Sequence, residues 1–97
     1  MPGTNRYVVC YDIADEKRRR RAAECLEGYG DRVQESVFEA VLAAALFDKC
    51  MTELTAIVDV REDRVAAYAL CAACDGRRRY LGIVREQDVG TEESFIV

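Results

Sequence analysis

Residues 7–13, YVVCYDI, limit the possible folds of this chain more than any other stretch. β-Branched, aromatic and small apolar side chains occupy both alternating positions, which fits a strand covered on both faces. One carboxylate, Asp12, stands near the end of the run. Lys17, Arg18, Arg19, Arg20 and Arg21 then follow without interruption.

A charged carboxylate in a buried strand is penalised by desolvation, so Asp12 must lie at an open strand end, pair with a cation or bind a metal. The plainest partner is Arg18 or Arg19, which the helix direction returns toward the strand end. Arg20 lies opposite the apolar face of that helix and meets solvent, while Arg21 flanks the apolar side. Guanidinium forks suit phosphate oxygens and a carboxylate beside them suits a divalent ion. The economical functional reading is phosphodiester binding, with Arg32 joining from the sheet edge.

Downstream spacing predicts the remaining elements. Asp15 is placed to cap a helix in which Ala22, Cys25, Leu26 and Tyr29 share one face, and Gly30 ends it. Residues 32–42, RVQESVFEAVL, alternate as one second strand. From Ala43 to about Thr55 the spacing is helical again, with Leu46, Phe47, Cys50 and Leu54 inside and Asp48, Lys49 and Glu53 outside. Strand patterns recur at 65–70 and 78–84, with a short terminal SFIV at 94–97. Locally this reads β-α-β-α-β-β, which leaves open whether the split β-α-β-β-α-β arrangement is the true order.

A length of 97 residues suits one domain spanning 1–97, small enough that dimerisation is the natural way to bury more apolar surface. With 51% hydrophobic residues, 33% charged residues and a single proline, the composition is that of a globular chain. No apolar run approaches the roughly 18 to 20 residues of a membrane span, and MPGTNR lacks a signal peptide's apolar core. A cytoplasmic protein with no membrane partner is expected.

Histidine is absent. Hydrolysis would therefore rest on carboxylates with an oxygen-loving ion such as magnesium, or on shifted Lys, Tyr or Cys groups. Cysteines 10, 25, 50, 71 and 74 are odd in number, which disfavours a disulfide framework. Cys71 and Cys74 form a CxxC, but no second CxxC completes a four-ligand zinc site, and the spacing reads as a strand-end turn. Residues 1–21 carry six cations against three anions, +3, so the rest of the chain carries −7 of the total −4. Any polyanion would be held by a local patch rather than by the global field.

The segment YVVCYDIADEKRRRRAAECLEGYGDRVQESVFE, residues 7–39, resembles the N-terminal signature of the CRISPR-associated adaptation proteins of the Cas2 family. The likeness runs through a strand ending in YDI, a D-[DE]-K-R-R-R helix start, a Y-G helix end and R-V-Q-x-S-V-F-E. YALCAAC, residues 68–74, resembles the end of that family's third strand. The chain departs from the family pattern at Glu35, where an aromatic is common, and in its acidic C-terminal region.

The resemblance implies an α+β, ferredoxin-like domain: an antiparallel sheet with two helices on one face and a homodimer through the other. In such a dimer residues 85–97 would exchange a short strand with the partner. It implies that Asp12 of each protomer faces the dimer axis and shares a Mg2+ ion, as catalytic and metal-binding residue. Arg19, Arg21, Arg32, Ser36 and Phe38 are implied as nucleic-acid-binding residues. Two roles follow: a magnesium-dependent endonuclease acting on single-stranded RNA or double-stranded DNA, and a non-catalytic duplex DNA scaffold for the CRISPR adaptation integrase. A dimeric ferredoxin-like toxin or regulator on the same scaffold is the alternative class.

Overall fold

A computed structural model describes residues 3–83 of the chain. In order these form β1 (Thr4–Asp12), α1 (Glu16–Glu27), β2 (Asp31–Gln34), β3 (Val37–Ala43), α2 (Ala44–Ile57), β4 (Arg64–Leu70) and the short α3 (Ala72–Asp75). The four strands make one antiparallel sheet in the order β2-β3-β1-β4. β1 is thus central, paired with β3 through Val9↔Phe38 and with β4 through Val9↔Ala67.

Alternation along β1 sends Tyr7, Val9 and Tyr11 to one face, where all three are buried. There Val9 and Tyr11 share one cluster with Ala22, Ala23 and Leu26 of α1, Cys50 and Leu54 of α2, and Phe38 of β3, so both long helices cover the same face. Phe47 of α2 stacks on Tyr7 with ring centroids 3.9 Å apart. Leu46, expected inside, is exposed instead, because α2 turns its Phe47, Cys50 and Leu54 stripe to the sheet. The opposite face of β1 carries Val8 and Cys10, both half-buried, and Arg6. Arg6 is only 7% exposed and is paired at 3.2 Å with Glu39 and at 2.6 Å with Asp75.

Residues 32–42 are not one strand. Glu35 and Ser36 form a turn that folds β2 back on β3, with Arg32↔Phe38 and Gln34↔Val37 in register and an irregularity between Arg32 and Gln34. This turn adds the missing strand, so the order through β4 is β-α-β-β-α-β rather than the locally read β-α-β-α-β-β. The segment 78–83 is not a strand either. Arg78 there donates to the Asp75 carbonyl at 2.9 Å and to the Tyr80 hydroxyl at 2.8 Å, contacts that fold the segment back on itself. The expected turn at Cys71 and Cys74 is the start of α3. The strand at 94–97 and the exchange of residues 85–97 lie outside the described residues.

Asp15 caps α1 as expected, accepting the Arg18 N–H at 2.9 Å. The helix is closed by Gly28, whose N–H reaches the Cys25 carbonyl at 3.1 Å. Gly30 has a different job: a Cβ there would stand 2.2 Å from the Glu39 carbonyl oxygen and 2.7 Å from the Ala40 Cβ. Only a residue without a side chain lets the α1–β2 connection pass so close to β3. Among the described residues no helix is long and apolar enough to cross a membrane.

Candidate nucleic-acid and metal site

Where β1 ends, α1 begins and the β2–β3 turn comes alongside, a groove of about 720 Å³ opens. Asp12, the last residue of β1, lines it and is exposed. Helix α1 contributes Glu16, Arg19, Arg20, Ala23, Glu24 and Glu27, a stripe at i, i+3, i+4 and i+7 spacing along one side of the helix. Arg32, Glu35 and Ser36 close the groove from the hairpin.

Two of the groove's three arginines, Arg19 and Arg32, are held by specific contacts. Arg19 donates through Nη1 to the carbonyls of Ile13 and Ala14, both at 3.0 Å, which ties its guanidinium to the strand-to-helix turn. Arg32 donates to the Glu35 carbonyl at 3.1 Å, reaches Glu27 at 3.6 Å and lies 5.3 Å over the centroid of the Phe38 ring. The Tyr11 hydroxyl donates to the same Glu35 carbonyl at 3.3 Å, and the Tyr11 N–H donates to the Ser36 carbonyl at 3.1 Å. The turn is therefore fastened to β1 through main-chain oxygens. Its side chains are left to face the groove.

The expected ion pair between Asp12 and Arg18 or Arg19 does not form. Arg18 is taken by Asp63, with Nε at 2.7 Å and Nη2 at 3.1 Å, and Arg19 by the two carbonyls. Among the described residues Asp12 has no ion-pair partner. Its neighbour in the β1–β4 register is Arg64. An exposed, unpaired carboxylate is free to take a cation from solution. Among the described residues no group of three or more Cys, Asp or Glu side chains is placed to hold a metal ion.

Burial holds the Tyr11 hydroxyl above its ordinary pKa, against the pull of Arg32 and Arg19. Tyr11 thus stays protonated near neutral pH and serves the groove as a donor rather than a base.

Of the six residues singled out from sequence, Asp12, Arg19, Arg32 and Ser36 come together. Phe38 and Arg21 do not line the groove. Phe38 is 1% exposed in the core, so its route to the groove is through the Arg32 guanidinium that rests on it. Arg21 is exposed two residues from both Arg19 and Ala23, about 160° round the helix. Tyr11, Glu16 and Arg20 are among the lining residues that the sequence did not single out. Their i, i+3 and i+4 spacing on α1 was visible for Glu16 and Arg20, but nothing local said which flank of α1 would meet the hairpin.

Comparison with known proteins bears on this arrangement. The family model described as CRISPR associated protein Cas2 matches residues 5–78, from the start of β1 through α3. The chain belongs to the Cas2 family. Asp12, Arg19, Arg21, Arg32, Ser36 and Phe38 all lie inside the matched Cas2 region. The protein named CRISPR-associated endoribonuclease Cas2 4 of Rhodospirillum rubrum is 48% identical over 85 residues, covering 88% of this chain and 68% of that one. The crystal structure of Streptococcus pyogenes Cas2 superposes with a TM-score of 0.69 at 35% identity, covering 79% of this chain and 99% of that one. A chain of a partial Cas6-RT-Cas1–Cas2 complex gives a TM-score of 0.64 at 27% identity, over 72% of this chain and 77% of that one.

Proposed function

We propose that the chain acts in CRISPR adaptation as a nucleic-acid-binding dimer with a magnesium-dependent nuclease centre at Asp12, cleaving phosphodiester bonds in single-stranded RNA or double-stranded DNA. The observation that carries this reading is the unpaired, exposed Asp12 carboxylate lining one groove with Arg19, Arg20 and Arg32. The likeness to the R. rubrum relative, which is named an endoribonuclease, supports it.

The donor set fits magnesium, which is typically bound through one or two carboxylates and otherwise keeps water and phosphate oxygens. Asp12 would hold the ion, and the second carboxylate would come from Asp12 of a second copy. When bound, the ion supplies Lewis acidity toward a phosphodiester and a water of lowered pKa. Arg19 and Arg32, fixed by main-chain carbonyls, hold and orient the phosphate and stabilise charge that develops on it. Tyr11, kept protonated, holds the turn that carries Ser36.

The sheet order β2-β3-β1-β4 and the β-α-β-β-α-β sequence of elements support reading the domain as ferredoxin-like. Its uncovered face would meet the second copy, and Val41 and Tyr68, 53% and 56% exposed, supply apolar area for that contact. A second reading, a duplex-holding scaffold for the adaptation integrase, is favoured by the lack, among the described residues, of a group of three or more carboxylates or thiols placed to hold a metal, and by the likeness to a chain of a Cas1–Cas2 complex.

The deciding experiment compares native protein with Asp12→Asn on RNA and on duplex DNA, with and without magnesium. Cleavage that needs magnesium and is lost in Asp12→Asn supports the nuclease. Equal cleavage by the variant places the chemistry elsewhere. No cleavage by either, with duplex binding and integrase capture intact, supports the scaffold.

A further inference from the structure

Two thiols have no part in the groove. Cys71 follows β4 directly in extended conformation (φ −68°, ψ 170°) and caps α3, which carries Cys74 three residues on. Both are exposed, and neither is in a disulfide. The Cys71 sulfur accepts the Cys74 N–H at 3.5 Å. The geometry points to Cys71 and Cys74 as a dithiol that a low-molecular-weight disulfide oxidises reversibly, with Cys71 attacking and Cys74 resolving. This assignment is independent of the nuclease reading.

The two sulfurs are unequal. Cys71 takes hydrogen bonds from the Cys74 N–H and from the Cys74 thiol, which hold its own thiol below the ordinary value; donation to Cys71 holds Cys74 above it. Thiolate character and exposure together mark the attacking sulfur. Cys25 and Cys50 between α1 and α2 are the built-in contrast. Burial raises both, Cys50 to about 12, and Cys50 is 1% exposed, so this second pair stays as thiols.

The reaction is two exchanges. The Cys71 thiolate attacks one sulfur of R–S–S–R, forming a mixed disulfide and releasing RS⁻. Cys74 then loses its proton to solvent and attacks the Cys71 sulfur, forming the Cys71–Cys74 bond and releasing the second RS⁻. Two protein thiols are oxidised and one small disulfide is reduced to two thiols, so electrons and atoms balance.

Trypsin cleavage after Arg64 and Arg77 leaves both cysteines in one peptide, VAAYALCAACDGR. The test incubates the reduced full chain with oxidised glutathione, blocks remaining thiols with iodoacetamide and maps peptides by mass. The expected result is loss of alkylation at Cys71 and Cys74 alone, in a peptide two hydrogens lighter, reversed by dithiothreitol. Cys74→Ser should halt at a glutathione adduct on Cys71, and in Cys71→Ser Cys74 should keep its alkylation. Full alkylation of the native peptide, a Cys25–Cys50 link, a link between two chains, or an adduct on Cys74 in Cys71→Ser would each overturn the proposal. The native digest decides it even if a variant misfolds.

Discussion

Arg18 grips Asp63 with both prongs of its guanidinium, Nε to Oδ2 at 2.7 Å and Nη2 to Oδ1 at 3.1 Å, across 45 positions of sequence. The Asp63 side chain is 1% exposed and also accepts the Asp59 N–H at 2.8 Å. The pair fastens the first turn of α1 to the loop that leads into β4. It also removes from the groove the cation that sequence placed beside Asp12.

Stability should depend on pH through this contact. The Arg18 hydrogen bonds hold the Asp63 carboxyl below its ordinary value. A depressed folded-state pKa gives a contribution that is complete above the ordinary carboxylate value and drains away as pH falls through the lowered one. Thermal melts from about pH 5 down to about pH 2 should show a steeper fall for the native chain than for Asp63→Asn. At neutral pH Asp63→Asn should already melt lower than native.

Asp12→Asn should behave in the opposite way. With no ion pair to lose and an exposed side chain, its melting temperature at neutral pH should match native, a change within about 0.5 kcal/mol. Calorimetry of the two Asn variants side by side separates the structural aspartate from the functional one.

Gly30→Ala should destabilise the domain by about 1–3 kcal/mol, because its Cβ would collide with the Glu39 carbonyl and Ala40. For a domain of this size that is a fall of roughly 4–8 °C per kcal/mol. Gly28→Ala, whose Cβ would meet only the Cys25 carbonyl at 3.4 Å, should melt close to native.

Phe38→Ala should cost about 3–5 kcal/mol as a core truncation. Its effect on nucleic-acid binding should track the folded fraction and the lost seat of Arg32, not a lost stacking contact. Phe38→Leu, folded at low temperature, should retain the native salt slope in a gel shift. A changed slope would mean that Phe38 reaches the ligand itself.

Arg19→Ala and Arg32→Ala should each weaken duplex binding and reduce the slope of log K against log salt by about one. Arg21→Ala, on the far side of α1, should change both less. Titrations at several salt concentrations give the comparison directly.

The chain announced its central strand, the Asp15 cap and the Cys50–Leu54 face of α2 because each rests on local spacing. The β2–β3 turn was hidden: Gln34, Glu35, Ser36 and Val37 include no Gly, Pro or Asn, and the Val33, Glu35, Val37, Glu39, Val41 pattern at every second position runs on through the bend. Asp12, Arg19, Arg32 and Ser36 were found as residue types, but their company was not. That Asp12 goes without Arg18 depends on Asp63, which takes it, and which flank of α1 faces the hairpin depends on Gly30 permitting close passage. Both are tertiary facts.

The central place of β1 bears on how the chain is made. It leaves the ribosome before either of its neighbours, and its second edge is covered only when β4, ending at Leu70, is available. Until then a nascent chain carries its most apolar strand with an open row of backbone donors and acceptors, the kind of edge that pairs with wrong partners. Pairings that span so much sequence also form slowly. The risk of misassembly during synthesis is therefore concentrated in the stretch that also ends in Asp12.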